Sequence, residues 1–176
     1  MITRCALTIA GSDSSGGAGI QADLKAFAAL GVHGACVVTA ITAQSTAGID
    51  DITGVSPGMV RDQIRAVLRD LRVDAVKVGM LYSDGTVEVV AQEIKGHRFP
   101  VIVDPVLVAG CGVPLLMPEA LAPFKELMVP LATVITPNVY EAEALTGIAV
   151  REPSDAVKAA EALTGLGAGS VVVKGG

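Results

Sequence analysis

The 176-residue sequence contains no tryptophan, and aromatic residues make up only 3% of it. Proteins that bind unpaired nucleic acid stack the bases on such side chains, so this sequence offers no stacking platform. Lysine and arginine number 13 and are scattered, against 18 aspartates and glutamates, which gives a net charge of −5. Because there is no basic stripe either, the composition argues against a nucleic-acid partner.

Cysteine and histidine are also scarce. The three cysteines are odd in number and far apart, which is not the pattern of a disulfide framework and indicates a reducing compartment, the cytoplasm. His33 and His97 fall near predicted turns, so neither is placed to activate Cys111. Cys111 is therefore predicted to be a simple loop thiol, and a cysteine-based metal site is unsupported.

No hydrophobic run is long enough for a membrane span, although hydrophobic residues make up 51% of the sequence and the mean hydropathy is +0.58. The longest uncharged stretch, residues 26–49, is interrupted by Gly31, His33 and Gln44. No basic segment precedes an apolar signal core at the N-terminus. We therefore expect no membrane partner and attribute the high hydropathy to parallel strands covered by helices.

Short apolar runs alternate with amphipathic segments along the whole sequence. This alternation predicts an α/β fold, a doubly wound and mostly parallel sheet with helices on both faces. No repeat, low-complexity run or linker divides residues 1–176, so a single domain is expected. The predicted strands are 5–10, 35–41, 74–78, 101–103, 133–135 and 170–173.

Several helix starts carry capping residues. Ser56, which precedes a proline, and Ser83 each stand before an amphipathic segment. Asn138 and Glu141 have the spacing of a capping box, and from the residues alone capping is the better explanation for both. Pro123 is predicted to break or restart the helix that contains it.

A loop rich in glycine and serine joins the first strand to the first helix, and residues 4–31 are the organising element of the chain. The loop follows the carboxyl end of a strand, where open α/β sheets bind ligands. Gly11 and Gly16 have the Walker spacing, but the Lys and Ser/Thr that must follow are absent. A G-x-G-x-x-A pattern at Gly17 lacks its acidic partner, which argues against a nicotinamide cofactor.

Four polar residues each have two interpretations. Asp23 is expected in the first helical turn, where the helix dipole favours a carboxylate, or as an acceptor for a ligand amine. Gln44 can satisfy neighbouring backbone or pair with a heterocycle. Asp104 can simply end a strand or hold Mg²⁺ through water. Lys174 can be solvated or face a phosphate, and the residues alone leave all these alternatives open.

Six segments, taken together and in order, resemble the hydroxymethylpyrimidine and phosphomethylpyrimidine kinases of thiamine synthesis, which are ribokinase-like vitamin kinases. The resemblance covers essentially the whole chain, and its first segment is far more specific than any single glycine motif. The segments are TIAGSDSSGGAGIQADLKAFAALG, TAITAQST, KVGMLYS, VIVDPVLV, VITPNVYEAEALTG and VVVKGG.

The resemblance implies that the first loop receives the pyrimidine substrate, with ATP farther along the same sheet edge. Gly11, Asp23, Gln44 and Met80 would then line the pyrimidine pocket, and Val106 would lie against the substrate from the other side. Asp23 and Gln44 would pair with the ring nitrogens and the amine of 4-amino-5-hydroxymethyl-2-methylpyrimidine.

It also implies a phosphate-binding region. Asp104 and Glu141 would hold Mg²⁺, Glu141 through water, Asn138 would help to organise the ATP phosphates, and Lys174 would face them. The implied reaction is in-line attack of the hydroxymethyl oxygen on the γ-phosphoryl group of ATP, followed by a second phosphorylation to the diphosphate. Members of the family suggest a homodimer.

Two departures from the family pattern limit these expectations. Gly110, Cys111 and Gly112 stand where members often carry Lys-Ser-Gly, so a phosphate contact from the loop 106–117, which we expect to be mobile, is in doubt. The H-G-T-G-C stretch that gives the family its anion hole and proton acceptor is absent from this sequence. No catalytic base is therefore identified, and we expect this N-terminal portion to be nearly inactive by itself.

Three alternatives remain open. A pyridoxal-type vitamin kinase of the same superfamily would have a related pocket for a substituted pyridine. A truncated, non-catalytic remnant could keep the pyrimidine loop and bind without turnover. A dehydrogenase is the weakest alternative, because it rests only on Gly17, Gly19 and Ala22.

Overall fold

The structure is a computed structural model that describes residues 4–175. Six strands form one sheet in the order β3-β2-β1-β4-β5-β6, and every neighbouring pair is parallel except β2 with β3. The predicted α/β, mostly parallel architecture is thereby confirmed. The strands are β1 (Cys5–Asp13), β2 (His33–Gln44), β3 (Ile49–Gly54), β4 (Ala75–Val78), β5 (Val101–Val103) and β6 (Val134–Ile135).

Helices follow the strands as the amphipathic segments predict. Ser56 and Ser83 accept hydrogen bonds from backbone N–H groups of the first turns of α2 and α3, so both predicted caps are confirmed. The capping box of Asn138 and Glu141 at the start of α5 is also present. The helices are α1 (Gly19–Ala29), α2 (Pro57–Asp70), α3 (Asp84–Ile94), α4 (Leu121–Pro123), α5 (Val139–Thr146) and α6 (Pro153–Gly165).

The core lies between the central strands and the helices packed on them. Leu7 and Ile9 of β1 and Val76 and Val78 of β4 are fully buried, as is Ile64 of α2. Burial of central parallel strands under helices explains their near-continuous apolar sequences. The same burial accounts for the high hydropathy of the chain, and no helix within residues 4–175 is long and apolar enough to cross a membrane.

The structure corrects the predicted strands at several points. β3 was not predicted, because its sequence IDDITG is polar; it pairs antiparallel at the edge of the sheet, where acidic side chains discourage pairing with other chains. β1 and β2 extend three residues further than predicted, to Asp13 and Gln44. The predicted strand 170–173 is wrong, since this segment forms only an isolated bridge between Val171 and Ile135.

The segment around Pro123 does not break. A 3₁₀ turn (Pro118–Ala120) leads into α4, a π turn (Phe124–Met128) follows Pro123, and a second 3₁₀ turn (Val129–Leu131) ends the segment. Proline lacks an N–H group and its ring crowds the carbonyl four residues before it, so a change of helical pitch at this point is the expected compromise.

Candidate functional site

A cavity of about 240 Å³ opens at the carboxyl ends of the central strands. It lies where β1, β2, β4 and β5 meet the loops that follow them, the edge at which open α/β sheets bind ligands. Its wall contains all five residues predicted to bind the pyrimidine, together with one predicted metal ligand. These are Gly11, Asp23, Gln44, Met80 and Val106, with Asp104 beside them.

The loop between β1 and α1 is organised around Asp13, which sequence reasoning missed. Oδ1 of Asp13 accepts hydrogen bonds from N and Oγ of Ser15, both at 2.8 Å. Oδ2 accepts from N of Gly17 at 3.0 Å and from N of Ala18 at 2.8 Å. These N–H groups at the helix start are therefore already bound to a carboxylate, so the loop offers no phosphate cradle.

Asp13 is only 3% exposed, and burial by itself would raise the pKa of its carboxyl. The hydrogen bonds from Ser15, Ala18 and Gly17 outweigh burial, and the pKa lies below its usual value. Asp13 is thus an ionised group that stabilises the loop beside the cavity. Its position directly after an apolar strand and before a run of Ser and Gly was the available signal.

We predict that Asp13→Asn lowers the free energy of unfolding at pH 7 by about 2 kcal/mol, because an amide group would face the N–H donors. A lowered pKa means that the stabilisation is complete above the pKa of an unfolded aspartate, about 3.9, and is lost as pH falls through the folded value. Urea unfolding of both proteins from pH 7 to pH 3 should show the two curves converging at the acid end.

Asp62→Asn is the control, since Asp62 is an exposed residue of α2. Its effect should stay within about 0.5 kcal/mol at every pH. If Asp13→Asn were no more destabilising than this control at pH 7, the assigned role of Asp13 would be wrong.

Gly11, Gly19 and Met80 bring the strand end, the helix start and the β4 loop into contact. A Cβ atom on Gly11 would lie 2.7 Å from Sδ of Met80. Gly19 has a φ of +57°, and a Cβ atom there would collide with the carbonyl oxygen of Gly11. At Gly19 the cavity wall is therefore formed by a backbone conformation and a close approach that favour glycine.

Asp23 lies on the cavity wall, but not in the first turn of α1 as predicted. The helix begins at Gly19, which places Asp23 in the second turn, and no acidic residue occupies the first. Its Oδ2 atom accepts hydrogen bonds from Oγ1 of Thr8 at 2.6 Å and from Nζ of Lys77 at 2.9 Å. Asp23 is therefore held by partners on β1 and β4 rather than by the helix dipole.

Gln44 is anchored through its backbone. Its N donates to Oγ of Ser14 at 2.8 Å, and its carbonyl oxygen accepts from the same hydroxyl at 2.6 Å. Its side-chain Oε1 accepts from Oγ1 of Thr42 at 3.1 Å. Within residues 4–175, Nε2 has no hydrogen-bond acceptor, so the amide lines the cavity with a donor still to be used.

Asp104 and Lys174 form an ion pair at the other side of the cavity. Nζ of Lys174 lies 2.6 Å from Oδ1 of Asp104, and Oγ1 of Thr136 donates to the same oxygen at 3.2 Å. Lys174 reaches this position because its backbone bridges to Asn138 in parallel register. The carboxyl end of β5 and the last described segment therefore meet at one charge pair.

The capping box of α5 lies next to this pair. Oδ1 of Asn138 accepts from N of Glu141, and Oε2 of Glu141 accepts from N of Asn138, both at 2.8 Å. Burial raises the pKa of Glu141, which is 3% exposed, and the Asn138 hydrogen bond and the charge of Lys174 offset this only in part. The charge of Asp104 also raises that pKa, so both members of the ion pair act on Glu141.

The loop after β5 closes the cavity at Val106 and Leu115. Leu107, Leu115 and Leu116 are buried, and backbone hydrogen bonds join the two ends of the loop. Cys111 is exposed at its tip, and His97 instead stacks on Phe99 with ring centroids 4.9 Å apart. Among residues 4–175 there is no group of three His, Cys, Asp or Glu side chains placed to hold a metal.

Comparison with known proteins shows what this chain is similar to. The phosphomethylpyrimidine kinase family model matches residues 13–176. The chain is 51% identical over 172 residues to the hydroxymethylpyrimidine/phosphomethylpyrimidine kinase of Bacillus subtilis, covering 97% of this chain and 64% of that protein. The chain therefore spans less than two thirds of the length of this curated relative.

Solved structures also match the chain over almost its whole length. The crystal structure of phosphomethylpyrimidine kinase from Clostridium difficile has a TM-score of 0.92 at 43% identity, over 99% of this chain and 76% of that one. The pyridoxal kinase of Staphylococcus aureus in complex with AMP-PCP and pyridoxal has a TM-score of 0.89 at 33% identity, over 100% and 64% of the two chains. The fold, the motifs and these matches agree: the chain belongs to the phosphomethylpyrimidine kinase family.

Proposed function

We propose that the protein phosphorylates 4-amino-5-hydroxymethyl-2-methylpyrimidine with ATP, and then phosphorylates the monophosphate to the diphosphate, in thiamine biosynthesis. The observation that carries this proposal is the convergence of Asp23, Gln44 and Asp104 on one cavity of about 240 Å³. In this proposal residues 1–176 belong to a single ribokinase-like kinase domain.

The cavity offers groups complementary to an aminopyrimidine. Asp23 supplies a carboxylate oxygen that would accept from the ligand amine, and Nε2 of Gln44 would donate to a ring nitrogen. Met80 and Val106 supply apolar surface for the faces of the ring. A few polar groups in a largely apolar cavity is the usual composition of a small-molecule site.

Phosphoryl transfer needs positioning and neutralisation of charge more than covalent chemistry from the protein. Asp104 lies on the wall of the same cavity, so phosphates bound beside it would be next to the hydroxymethyl group of a ligand held by Asp23 and Gln44. Lys174 would exchange its carboxylate partner for a phosphate oxygen. No described residue is assigned as the proton acceptor.

Asp104 and Glu141 fit a magnesium ion that keeps several waters. Magnesium is commonly held by one or two carboxylates plus substrate phosphates rather than by an all-protein cage. This agrees with two carboxylates that are not part of a larger His, Cys, Asp or Glu cluster within residues 4–175. The burial that raises the pKa of Glu141 would be opposed by a cation nearby. The ion would supply neutralisation of the charge on the transferred phosphoryl group.

The test is ³¹P NMR of the whole protein, purified from its native source, with ATP, Mg²⁺ and the hydroxymethylpyrimidine. We expect a monophosphate signal that is followed by a diphosphate signal. A parallel reaction with pyridoxal tests the second candidate function, a pyridoxal-type kinase. The similarity to a pyridoxal kinase bound to pyridoxal favours this candidate. If pyridoxal is consumed and the pyrimidine is not, the proposal fails in favour of that candidate; binding of the pyrimidine without turnover would indicate a non-catalytic binding protein.

Glu141→Gln should separate stability from activity. The pKa of the buried carboxyl is higher in the folded protein than in the unfolded chain, so ionisation of Glu141 lowers the free energy of unfolding. This loss of stability is absent below the pKa of an unfolded glutamate, about 4.3, and grows as pH rises through the pKa of the folded protein. We expect the variant to have a higher melting midpoint than the parent at pH 7 and a kcat about 10²-fold lower, from the lost charge near the phosphates. Calorimetric melting and ADP release measure the two effects, and a lower midpoint with unchanged kcat would contradict both assignments.

A further inference from the structure

Lys77 is a charged residue inside the sheet that the predicted site did not include. It lies on β4 directly beside Thr8 of β1 in the parallel register, and it lines the same cavity as Asp23. Its side chain is 23% exposed and that of Asp23 is 18% exposed. A lysine among the apolar residues of a central strand requires a partner, and Asp23 of α1 is that partner.

Only one oxygen of the Asp23 carboxylate takes part in the contacts with Thr8 and Lys77. Thr8 and Lys77 both bind Oδ2 of Asp23, at 2.6 and 2.9 Å, and within residues 4–175 no donor binds Oδ1. Two fixed partners on one oxygen prevent free rotation of the carboxylate. Oδ1 is therefore the oxygen left for a ligand in the cavity.

Gly79 provides an independent observation on Lys77. A Cβ atom on Gly79 would lie 2.9 Å from Nζ of Lys77 and 3.1 Å from Cβ of Ala10. The missing side chain at position 79 therefore makes the space in which the ammonium group sits. The position of Nζ is specified from two sides, by Asp23 and by the backbone of the β4 loop.

We propose that Lys77 is a positioning residue that determines ligand specificity: by holding Oδ2 of Asp23 it leaves Oδ1 as a fixed acceptor, so that the cavity selects a ring carrying an amino group over one carrying a carbonyl at the same position. The inference rests on the proposed function, because it takes the aminopyrimidine as the ligand.

The selection follows from donor and acceptor chemistry. An amine donates to Oδ1 in a charge-assisted hydrogen bond, whereas a carbonyl oxygen would place two acceptors against each other. Without Lys77 the carboxylate is held by Thr8 alone and can turn away from the ligand. The variant would then lose discrimination between the two rings, which a merely structural lysine would not affect.

Calorimetric titration with 4-amino-5-hydroxymethyl-2-methylpyrimidine and with its 4-oxo analogue tests the proposal. The parent protein should prefer the amine by about 10- to 100-fold. Lys77→Met, which keeps an unbranched side chain of similar length but no charge, should reduce this ratio to within about threefold of unity. Lys158→Met is the matched control, because Lys158 forms an exposed ion pair with Asp155 on α6, and it should leave the ratio at the parent value.

Gly79→Ala is a second variant that displaces Nζ without removing its charge, and it should lower the ratio in the same direction. If Lys77→Met folds and keeps the parent ratio, the proposal is overturned. If Lys77→Met does not fold, the result for Gly79→Ala decides, and an unchanged ratio there overturns the proposal. Failure of the parent protein to bind the aminopyrimidine at all would instead overturn the proposed function and this inference with it.

Discussion

Replacing Asp104 with asparagine should lower kcat for phosphoryl transfer by about 10²–10³, the usual cost of removing one preorganised charge or donor from a reacting centre. Asparagine keeps the shape of the side chain, and its Oδ1 can still accept from Lys174 and Thr136. The loss would therefore come from the missing negative charge that we assign to the magnesium ion, and not from a rearranged loop. ADP release at saturating pyrimidine, measured over a range of Mg²⁺ concentrations, tests this.

The control for Asp104 is Asp155→Asn. Asp155 also accepts from a lysine, Lys158, at 2.8 Å, but on α6, outside the residues that line the cavity. Asp155→Asn should change kcat by less than a factor of two, because its charge lies away from the proposed phosphate site. A parent-like kcat and Mg²⁺ dependence in Asp104→Asn would remove Asp104 from the phosphate site.

Gly19→Ala should lower the free energy of unfolding by roughly 2–5 kcal/mol, the sum of a left-handed backbone strain and an overpacked contact. The φ of +57° at Gly19 is costly for any residue with a Cβ atom, and that atom would collide with the carbonyl oxygen of Gly11. Both glycines line the cavity, so ligand binding should weaken as well. Urea unfolding and calorimetric titration of the same variant measure the two effects.

Gly58→Ala is the matched control for Gly19. Gly58 lies in the first turn of α2, and a Cβ atom there would meet no atom within 4 Å. Alanine is the better helix former, so this change should leave stability unchanged or raise it by up to about 1 kcal/mol. If both substitutions changed the free energy of unfolding equally, the positive φ and the close approach to Gly11 would not be the reason why position 19 requires glycine.

Local features of the fold were predictable because their causes are local. Ser56, Ser83 and Asn138 cap their helices through atoms three residues away, and the alternation of strands and helices follows from periodicity within a few residues. The edge strand β3 was missed because an exposed edge needs little apolar sequence. The segment 170–173 has the apolar residues of a strand but makes only one isolated bridge, between Val171 and Ile135, within residues 4–175.

The resemblance to a family predicted part of the site. The two ion pairs at the site could not be predicted from the sequence. Asp23 and Lys77 are 54 residues apart, and Asp104 and Lys174 are 70 apart, so nothing in the local sequence links the members of either pair. Asp23, Gln44 and Asp104 do meet at one cavity, while their roles in binding and transfer stay predictions. A single lysine within the apolar strand AVKV was the one available signal for Lys77.

The carboxylate of Asp13 has a consequence for the thermodynamics of binding. Because five hydrogen bonds to the carboxylate of Asp13 already fix the loop from Ser15 to Ala18, a ligand does not have to order this segment when it arrives. Ordering a flexible loop costs conformational entropy for each residue that is immobilised. Here the loop is already ordered when the chain folds, so ligand binding does not carry this entropy loss. Association at this side of the cavity should therefore resemble docking into a rigid receptor, with little heat-capacity change from the loop itself.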